Sequence, residues 1–348
     1  MTFSPTQHRF LRACRLQPVD VTPVWFMRQA GRYMKEYREI RKKNTILDIC
    51  KDPALAAEVT LQPMRKLGVD AAILFADILL AVAPMGIEFE FSKDEGPVIK
   101  NPVKTAKDVA ALRIYEPEEE LFSVMETLHI LRRELEYKAP IIGFAGAPFT
   151  LASYLIEGGH SRNYIKTKSM MYATPKLWGQ FMDKLARVTT AYLRGQIRAG
   201  AQAVQLFDSW IGCLSPYDYE TYVLPYTQQV IRGLKKDNIA AIYFGTETSM
   251  LLELMNRSGA GVIGVDWRIP LDQAWARLGP GTAVQGNLDP AALFGPPREI
   301  RKRVEDVLRR AAGRPGHIFN LGHGILPNTP VGSVKAVVDM VHEYSPPG

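Results

Sequence analysis

Residues 23–32 read PVWFMRQAGR. Five apolar positions end abruptly in two arginines set around a Gln-Ala-Gly turn. The apolar run is short and does not alternate, as expected of a parallel strand covered on both faces. The residues directly after it decide between two α/β architectures. A doubly wound sheet places a glycine-rich phosphate turn after an early strand, and MRQAGR is no such turn. The same grammar returns seven times, at 71–75 (AAILF), 140–145 (PIIGFA), 203–207 (AVQLF), 240–244 (AAIYF), 261–265 (GVIGV), 282–285 (TAVQ) and 317–321 (HIFNL). Between the runs lie amphipathic helical stretches. In 174–199, Trp178, Phe181, Leu185, Val188 and Tyr192 recur at three- and four-residue steps, and Gly200 stands where a C-terminal cap belongs. Asp52 before Pro53 is a helix-start signal. Eight strand–helix repeats with no linker or composition break predict one closed (β/α)8 barrel, a TIM barrel, spanning residues 1–348 as a single catalytic domain. Residues 86–100 alternate (IEFEF, then DEGP) and predict a small antiparallel hairpin inserted after the second strand.

The composition narrows the class. Of the 348 residues 47% are hydrophobic and 23% charged, the balance of a globular chain with ample core. No stretch approaches the roughly 20 apolar residues that cross a bilayer, and the first residues lack the apolar centre of a secretory signal. The three cysteines, Cys14, Cys50 and Cys213, show no CxxC pairing, which suits a reducing cytoplasm. Lys plus Arg exceed Asp plus Glu by 43 to 36. The excess is scattered, with no basic stripe carrying interleaved aromatics, so it points to a small anionic substrate rather than nucleic acid or a membrane.

In a (β/α)8 barrel the active site lies at the carboxyl ends of the strands, so the residues just past each run survey the site. They are Arg28, Gln29, Ala30, Gly31 and Arg32; Asp77; Gly146 to Thr150; Asp208, Ser209 and Trp210; Gly245 to Thr248; Asp266, Trp267 and Arg268; Gly286 and Asn287; and Gly322, His323 and Gly324. Two arginines around a tight turn suit bidentate recognition of carboxylates, or one of them pairs with a structural acid. Asp77, inside FADILL, either caps the next helix or points into the cavity as an acid, base or cation stabiliser. His323 between two glycines is a candidate for substrate contact, with metal ligation and helix capping as the competing roles. Tyr154 and Ser209 offer hydroxyls, and either also suits a purely structural place. Asp208 is a second carboxylate or a loop cap. There is no GxSxG elbow, no GxxxxGK[ST], no HExxH and no lysine directly after a strand. Arginines, carboxylates, hydroxyls and one histidine remain, a set fit for acid–base chemistry on an anionic substrate.

The run PVWFMRQAGR (23–32) resembles the first signature of the uroporphyrinogen decarboxylase family, and GFAGAPFTLASYLIEGG (143–159) resembles the second. The likeness continues through LFADIL (74–79), VQLFDSW (204–210), VDWRIPLDQAW (265–275), GNLDP (286–290) and FNLGHGILP (319–327), nearly the full length. It implies a carboxy-lyase that removes the four acetate carboxyl groups of uroporphyrinogen III as carbon dioxide, giving coproporphyrinogen III for haem and other tetrapyrroles. It also implies that no metal or prosthetic group takes part and that the chain forms a homodimer. Carried over by motif, Arg28 and Arg32 bind substrate carboxylates, with Arg28 also a candidate proton donor. Asp77 sits beneath the macrocycle and accepts hydrogen bonds from pyrrole N–H groups; Tyr154, Ser209 and His323 complete the contacts, and Gln29 and Ala30, in the loop of Arg28 and Arg32, are implied substrate-binding residues as well. Two small departures stand out: YMKEYR (33–38), where many members have Leu-Pro between Tyr and Glu, and Ala76, where Ser is common. A related branch transfers methyl groups through a zinc-bound thiol. It needs a His-x-Cys after a late strand, where this chain has Tyr243, Phe244 and Gly245. A porphyrin carrier that has lost its chemistry is the third reading, and the intact Arg28, Arg32 and Asp77 argue against it.

Overall fold

The structure, a computed structural model, describes residues 8–92, 96–136 and 138–344. Its strands are β1 (Ala72–Ile73), β2 (Phe89–Ser92), β3 (Gly96–Ile99), β4 (Ile141–Gly146), β5 (Ala203–Asp208), β6 (Ala240–Gly245), β7 (Val262–Gly264), β8 (Ala283–Gln285) and β9 (His317–Ile318). Seven of them form one sheet in the order β1-β4-β5-β6-β7-β8-β9, every neighbouring pair parallel. All lie close to the expected runs. β2 and β3 pair antiparallel from Phe89–Ile99 to Ser92–Gly96; the turn expected between them, at 93–95, lies outside the described residues.

The expected first strand, 23–27, is reduced to a single parallel bridge between Val24 and Phe319. Phe319 N–H donates to the Pro23 carbonyl (2.8 Å) and Trp25 N–H to the Phe319 carbonyl (3.3 Å). On the opposite flank Asp70 N–H donates to the Val24 carbonyl (2.8 Å), two residues ahead of β1. The segment therefore joins the two edges of the curled sheet and closes the barrel. It makes so short a ladder for two reasons. Pro23 has no N–H to offer, and the Val24 N–H is taken by the Asp70 carboxylate (2.7 Å) instead of a strand carbonyl. Asp70 is itself held by Arg9 (3.0 Å) and His342 (2.8 Å), so both ends of the described chain are tied to this seam.

The helices cover the sheet as their apolar stripes require. Pro175–Arg198 buries Trp178, Phe181, Leu185, Val188 and Tyr192, and Gly200 comes after it with φ +122°. Pro53–Leu67 starts with Pro53 in its first turn, the Asp52 carboxylate accepting from Leu55 N–H. Strand register sets which side chains face the lumen. Gln205 pairs in register with Ile242, and Phe207 with Phe244. A hydrogen-bonded chain runs across the lumen from Trp25 Nε1 to Gln285 (3.0 Å) and from Gln285 to Gln205 (3.0 Å). Odd-numbered β5 residues thus point inward and even-numbered ones outward, the two-residue alternation of a strand.

His317, on β9, has the opposite orientation from its inward neighbour Ile318 and is buried against Trp275. Its Nε2–H donates to the Gly286 carbonyl (3.0 Å), which leaves Nδ1 buried without a partner among the described residues. Burial, partly offset by that hydrogen bond, pulls the ring from 6.5 down to about 4. Because the unfolded chain takes up the proton first, the associated stability is whole above pH 6.5 and drains as pH falls towards 4. At about 1.4 kcal/mol per pK unit the loss reaches up to ~3 kcal/mol. Urea unfolding of His317→Gln should show a flatter acid flank between those pH values; a flank as steep as that of the parent chain contradicts the assignment.

Candidate active site

The carboxyl ends of the strands gather the polar residues. Arg28 comes directly after the closing segment in a left-handed conformation, φ +59°, which few non-glycine residues adopt. Its side chain lies across Gly324, where an added Cβ would stand 2.5 Å from Arg28 Cδ and 2.7 Å from Cγ. Gly324 is thus a glycine for space. The loop beneath is held by Gln29: its amide donates to the Ala71 carbonyl (3.0 Å) and accepts from Phe26 N–H (3.2 Å). The Gln29 carbonyl in turn accepts from Tyr33 OH (2.7 Å). Gln29 is fully buried, so its side chain supports the turn and does not reach the cleft. Ala30 is half-buried against the core, and Arg32 is exposed. Among the described residues neither Arg28 nor Arg32 forms an ion pair, so neither is consumed by a structural acid.

Asp77 ends the segment after β1 and begins the 3-10 turn Ile78–Met85, its Oδ1 accepting from Leu79 N–H at 2.9 Å. The capping role left open by the sequence is thus met by one oxygen, and the other has no partner among the described residues. Burial raises its pKa, opposed by the Leu79 N–H and by the positive charge of Arg28. Tyr154, on the helix Pro148–Glu157, is raised to about 12 by burial and by the Asp77 charge, with Arg28 and hydrogen bonding to Trp210 acting the other way. His323 is held below its ordinary value by burial and then by Arg28; Arg268 adds to this while the Gly324 backbone and Asp266 oppose it. Arg28 thus acts electrostatically on Asp77, Tyr154 and His323 at once. Four of the residues singled out from sequence share one electrostatic centre, and Arg32 stands outside it, where its charge is felt by Tyr37.

Ser209 is half-buried, its carbonyl accepting from Thr246 Oγ1 (2.7 Å) and its hydroxyl without a partner among the described residues. Asp208 is placed elsewhere. It is fully buried on the outward face of β5, where Thr150 Oγ1 donates to Oδ1 and Tyr243 OH to Oδ2, both at 2.7 Å. It is neither a second carboxylate of the cleft nor a cap of its own loop. Two supports were not anticipated from the sequence. Asn320 Oδ1 accepts from Met27 N–H (3.3 Å) and Leu321 N–H (2.8 Å), tying the Arg28 loop to the His323 loop. Trp210 meets Tyr154 (5.8 Å between centroids) and His160 (5.5 Å) edge to face and Tyr164 (5.8 Å) at a tilt. A polar Asn within HIFNL was the available signal for the first.

A cavity of about 780 Å³ lies to one side, between Trp267–Leu271, Asn287–Asp289 and the helix Pro297–Ala311. Arg303, Arg309 and Arg310 on its wall are already paired with Glu299, Asp306 and Asp272, while Lys302 on the same wall forms no ion pair among the described residues. Among the described residues no group of three or more His, Cys, Asp or Glu is arranged to hold a metal ion.

A family model described as Uroporphyrinogen decarboxylase (URO-D) matches residues 5–344. The uroporphyrinogen decarboxylase of Sorangium cellulosum (strain So ce56) is 58% identical over 334 residues, covering 96% of this chain and 95% of that protein. That of Carboxydothermus hydrogenoformans is 57% identical over 336 residues, covering 97% and 96%. Among solved structures, a methyltransferase from Methanosarcina mazei superposes with a TM-score of 0.83 at 20% identity, over 98% of this chain and 99% of its own. A B12-independent methionine synthase from Shewanella sp. W3-18-1 reaches 0.58 at 12% identity, over 86% and 90%. At such identities the two structures speak for the barrel fold and not for its chemistry.

Proposed function

The chain belongs to the uroporphyrinogen decarboxylase family of carboxy-lyases, and from that premise we propose that the Arg28 cluster holds uroporphyrinogen III while its four acetate groups lose carbon dioxide. The observation that carries the reading is the convergence of Arg28, Asp77, Tyr154 and His323, with the arginine unpaired and one Asp77 oxygen free among the described residues. Loss of carbon dioxide leaves an electron pair that needs a sink. A pyrrole protonated at a ring carbon is cationic and serves as that sink, so the substrate performs the role of a cofactor. The protein then has to seat one acetate, admit a proton and stabilise developing positive charge. A preorganised carboxylate does the last.

Asp77 suits this role because its pKa is raised chiefly by burial. The Leu79 N–H and Arg28 offset that burial only in part, and a cationic ring with N–H donors completes the compensation. Arg28 and Arg32, both exposed, bind substrate carboxylates, Arg28 beside Asp77 and Arg32 beside Tyr37. Arg28 is also the candidate proton donor. Tyr154 and Ser209 supply hydroxyls, and His323, kept neutral by burial and by Arg28, offers a ring nitrogen. Gln29 and Ala30 contribute the turn that presents the two arginines. Residues 1–348 act as one catalytic domain.

The chain also pairs as a homodimer in this reading. Support comes from Ile165, Tyr172 and Tyr217, which are 66%, 52% and 71% exposed. Tyr172 OH donates to Asp218 (3.0 Å), which brings the two helices carrying these residues together. We place the protein in the cytoplasm on the strength of three unpaired cysteines. Among the described residues no helix is long and apolar enough to cross a membrane.

Anaerobic incubation with uroporphyrinogen III, with no metal added, tests the assignment when chromatography of the oxidised porphyrins is run afterwards. Coproporphyrin should accumulate through partly decarboxylated intermediates. Recovery of uroporphyrin alone from folded protein defeats the reading.

A further inference from the structure

The helix Pro148–Glu157 carries Tyr154 but brings no capping side chain of its own, because its N-cap is Ala147. Pro148 supplies no N–H in the first turn. The missing acceptor comes from the neighbouring strand. Asp208, at the end of β5, accepts from the Thr150 hydroxyl (2.7 Å); burial raises its pKa to about 6, opposed by the hydrogen bonds from Tyr243 and from the Thr150 hydroxyl and backbone N–H. An anion at a helix N-terminus is favourable in both hydrogen bonding and dipole. The other Asp208 oxygen is anchored by Tyr243 OH (2.7 Å), which is hydrogen-bonded in turn to Tyr219 OH (3.1 Å). The carboxylate is therefore fixed from three sides.

The clamp aligns a specific pair of contacts. Thr150 and Tyr154 are four residues apart, hence on one face of the helix. Asp208 and Trp210 are two apart at the end of β5. The pairs match: Asp208 meets Thr150, and the Trp210 ring lies against the Tyr154 ring at 5.8 Å between centroids. Trp210 N–H also approaches Thr150 Oγ1 at 3.4 Å. Ser209 sits between the two contacts with its carbonyl pinned by Thr246 Oγ1 (2.7 Å).

We infer that Asp208 and Thr150 are positioning residues, a cap donated from strand to neighbouring helix that sets where the Tyr154 hydroxyl stands in the cleft. The inference rests on the reading of Tyr154 as a substrate contact. The two stand or fall separately in a double-mutant cycle. Thr150→Val keeps the shape and removes the hydroxyl; it should raise KM about five- to tenfold, the effect of a misplaced hydrogen bond, with kcat within about twofold. Thr150→Ser, which keeps the hydroxyl, should restore KM. In a Tyr154→Phe background Thr150→Val should change KM by less than about twofold, because the group it aims is already gone. Full additivity of the two substitutions overturns the inference and leaves the Tyr154 contact standing. A Tyr154→Phe enzyme with unaltered kinetics removes the contact and the inference with it. Thermal unfolding shows whether Thr150→Val folds; if it does not, Asp208→Asn, which loses the charged acceptor, takes its place in the same cycle.

Discussion

Asp77→Asn should fold as the parent chain does and lose nearly all turnover, kcat falling by roughly 100- to 1,000-fold, the range for deleting a preorganised charge-stabilising group. The choice of asparagine reflects the two roles of Asp77. Its Oδ1 caps the turn by accepting from Leu79 N–H (2.9 Å), and an amide oxygen can do the same. Removing the cap altogether, as in Asp77→Ala, costs about 1 kcal/mol of stability as well. Comparing the two variants therefore separates the cap from the charge: both should be inactive, and only the alanine should unfold earlier. Near-normal coproporphyrinogen formation by Asp77→Asn would sink the cation-stabilising role. The pH profile gives a second check. Burial raises the Asp77 pKa, so the acid limb of kcat/KM should lie above the ordinary carboxylate range of about 4. The limb reflects ionisation, so activity falls as pH drops through it, and the residual activity of Asp77→Asn should not show it.

The strand runs were readable because a parallel barrel buries both faces of each strand, which leaves uninterrupted apolar segments. That same property hid the direction of the side chains. Within VQLFDSW nothing alternates, so the sequence could not say which of Asp208 and Ser209 turns towards the cleft. Register with β6 settles it: Phe207 faces the lumen and Asp208 the helices. The closing segment was legible as a strand but not as a seam, since its hydrogen bonds go to the backbone of Phe319 and to the backbone and side chain of Asp70, far away along the chain. Gln29 shows a related blindness. A glutamine in a loop of arginines reads as a further ligand, yet its amide is spent on Ala71 and Phe26. Asp52, by contrast, was legible as a cap, because capping is local and leaves its whole signature within four residues.

Arg28→Ala and Arg32→Ala should each lower kcat/KM by about 1.5–3 kcal/mol, some 10- to 150-fold, as expected when a charge-assisted hydrogen bond is lost. Arg28→Lys should recover little, since an ammonium cannot hold a carboxylate with two parallel bonds. The decisive comparison uses a residue that touches no substrate. An added methyl at Gly324 enters the space of Arg28 Cδ and Cγ, at 2.5 and 2.7 Å, and has to move the side chain. Gly324 lies outside the left-handed region, so backbone strain does not confuse the result. Arg28 itself, at φ +59°, is held in an uncommon conformation that limits where its guanidinium can go instead. Gly324→Ala should therefore reproduce a large part of the Arg28→Ala defect while the guanidinium remains present. In the Arg28→Ala background the same glycine substitution should add almost nothing, because no side chain is left to displace. Steady-state kinetics on the four proteins decides it: a Gly324→Ala penalty that is the same with and without Arg28 would mean the glycine serves the loop and not the arginine.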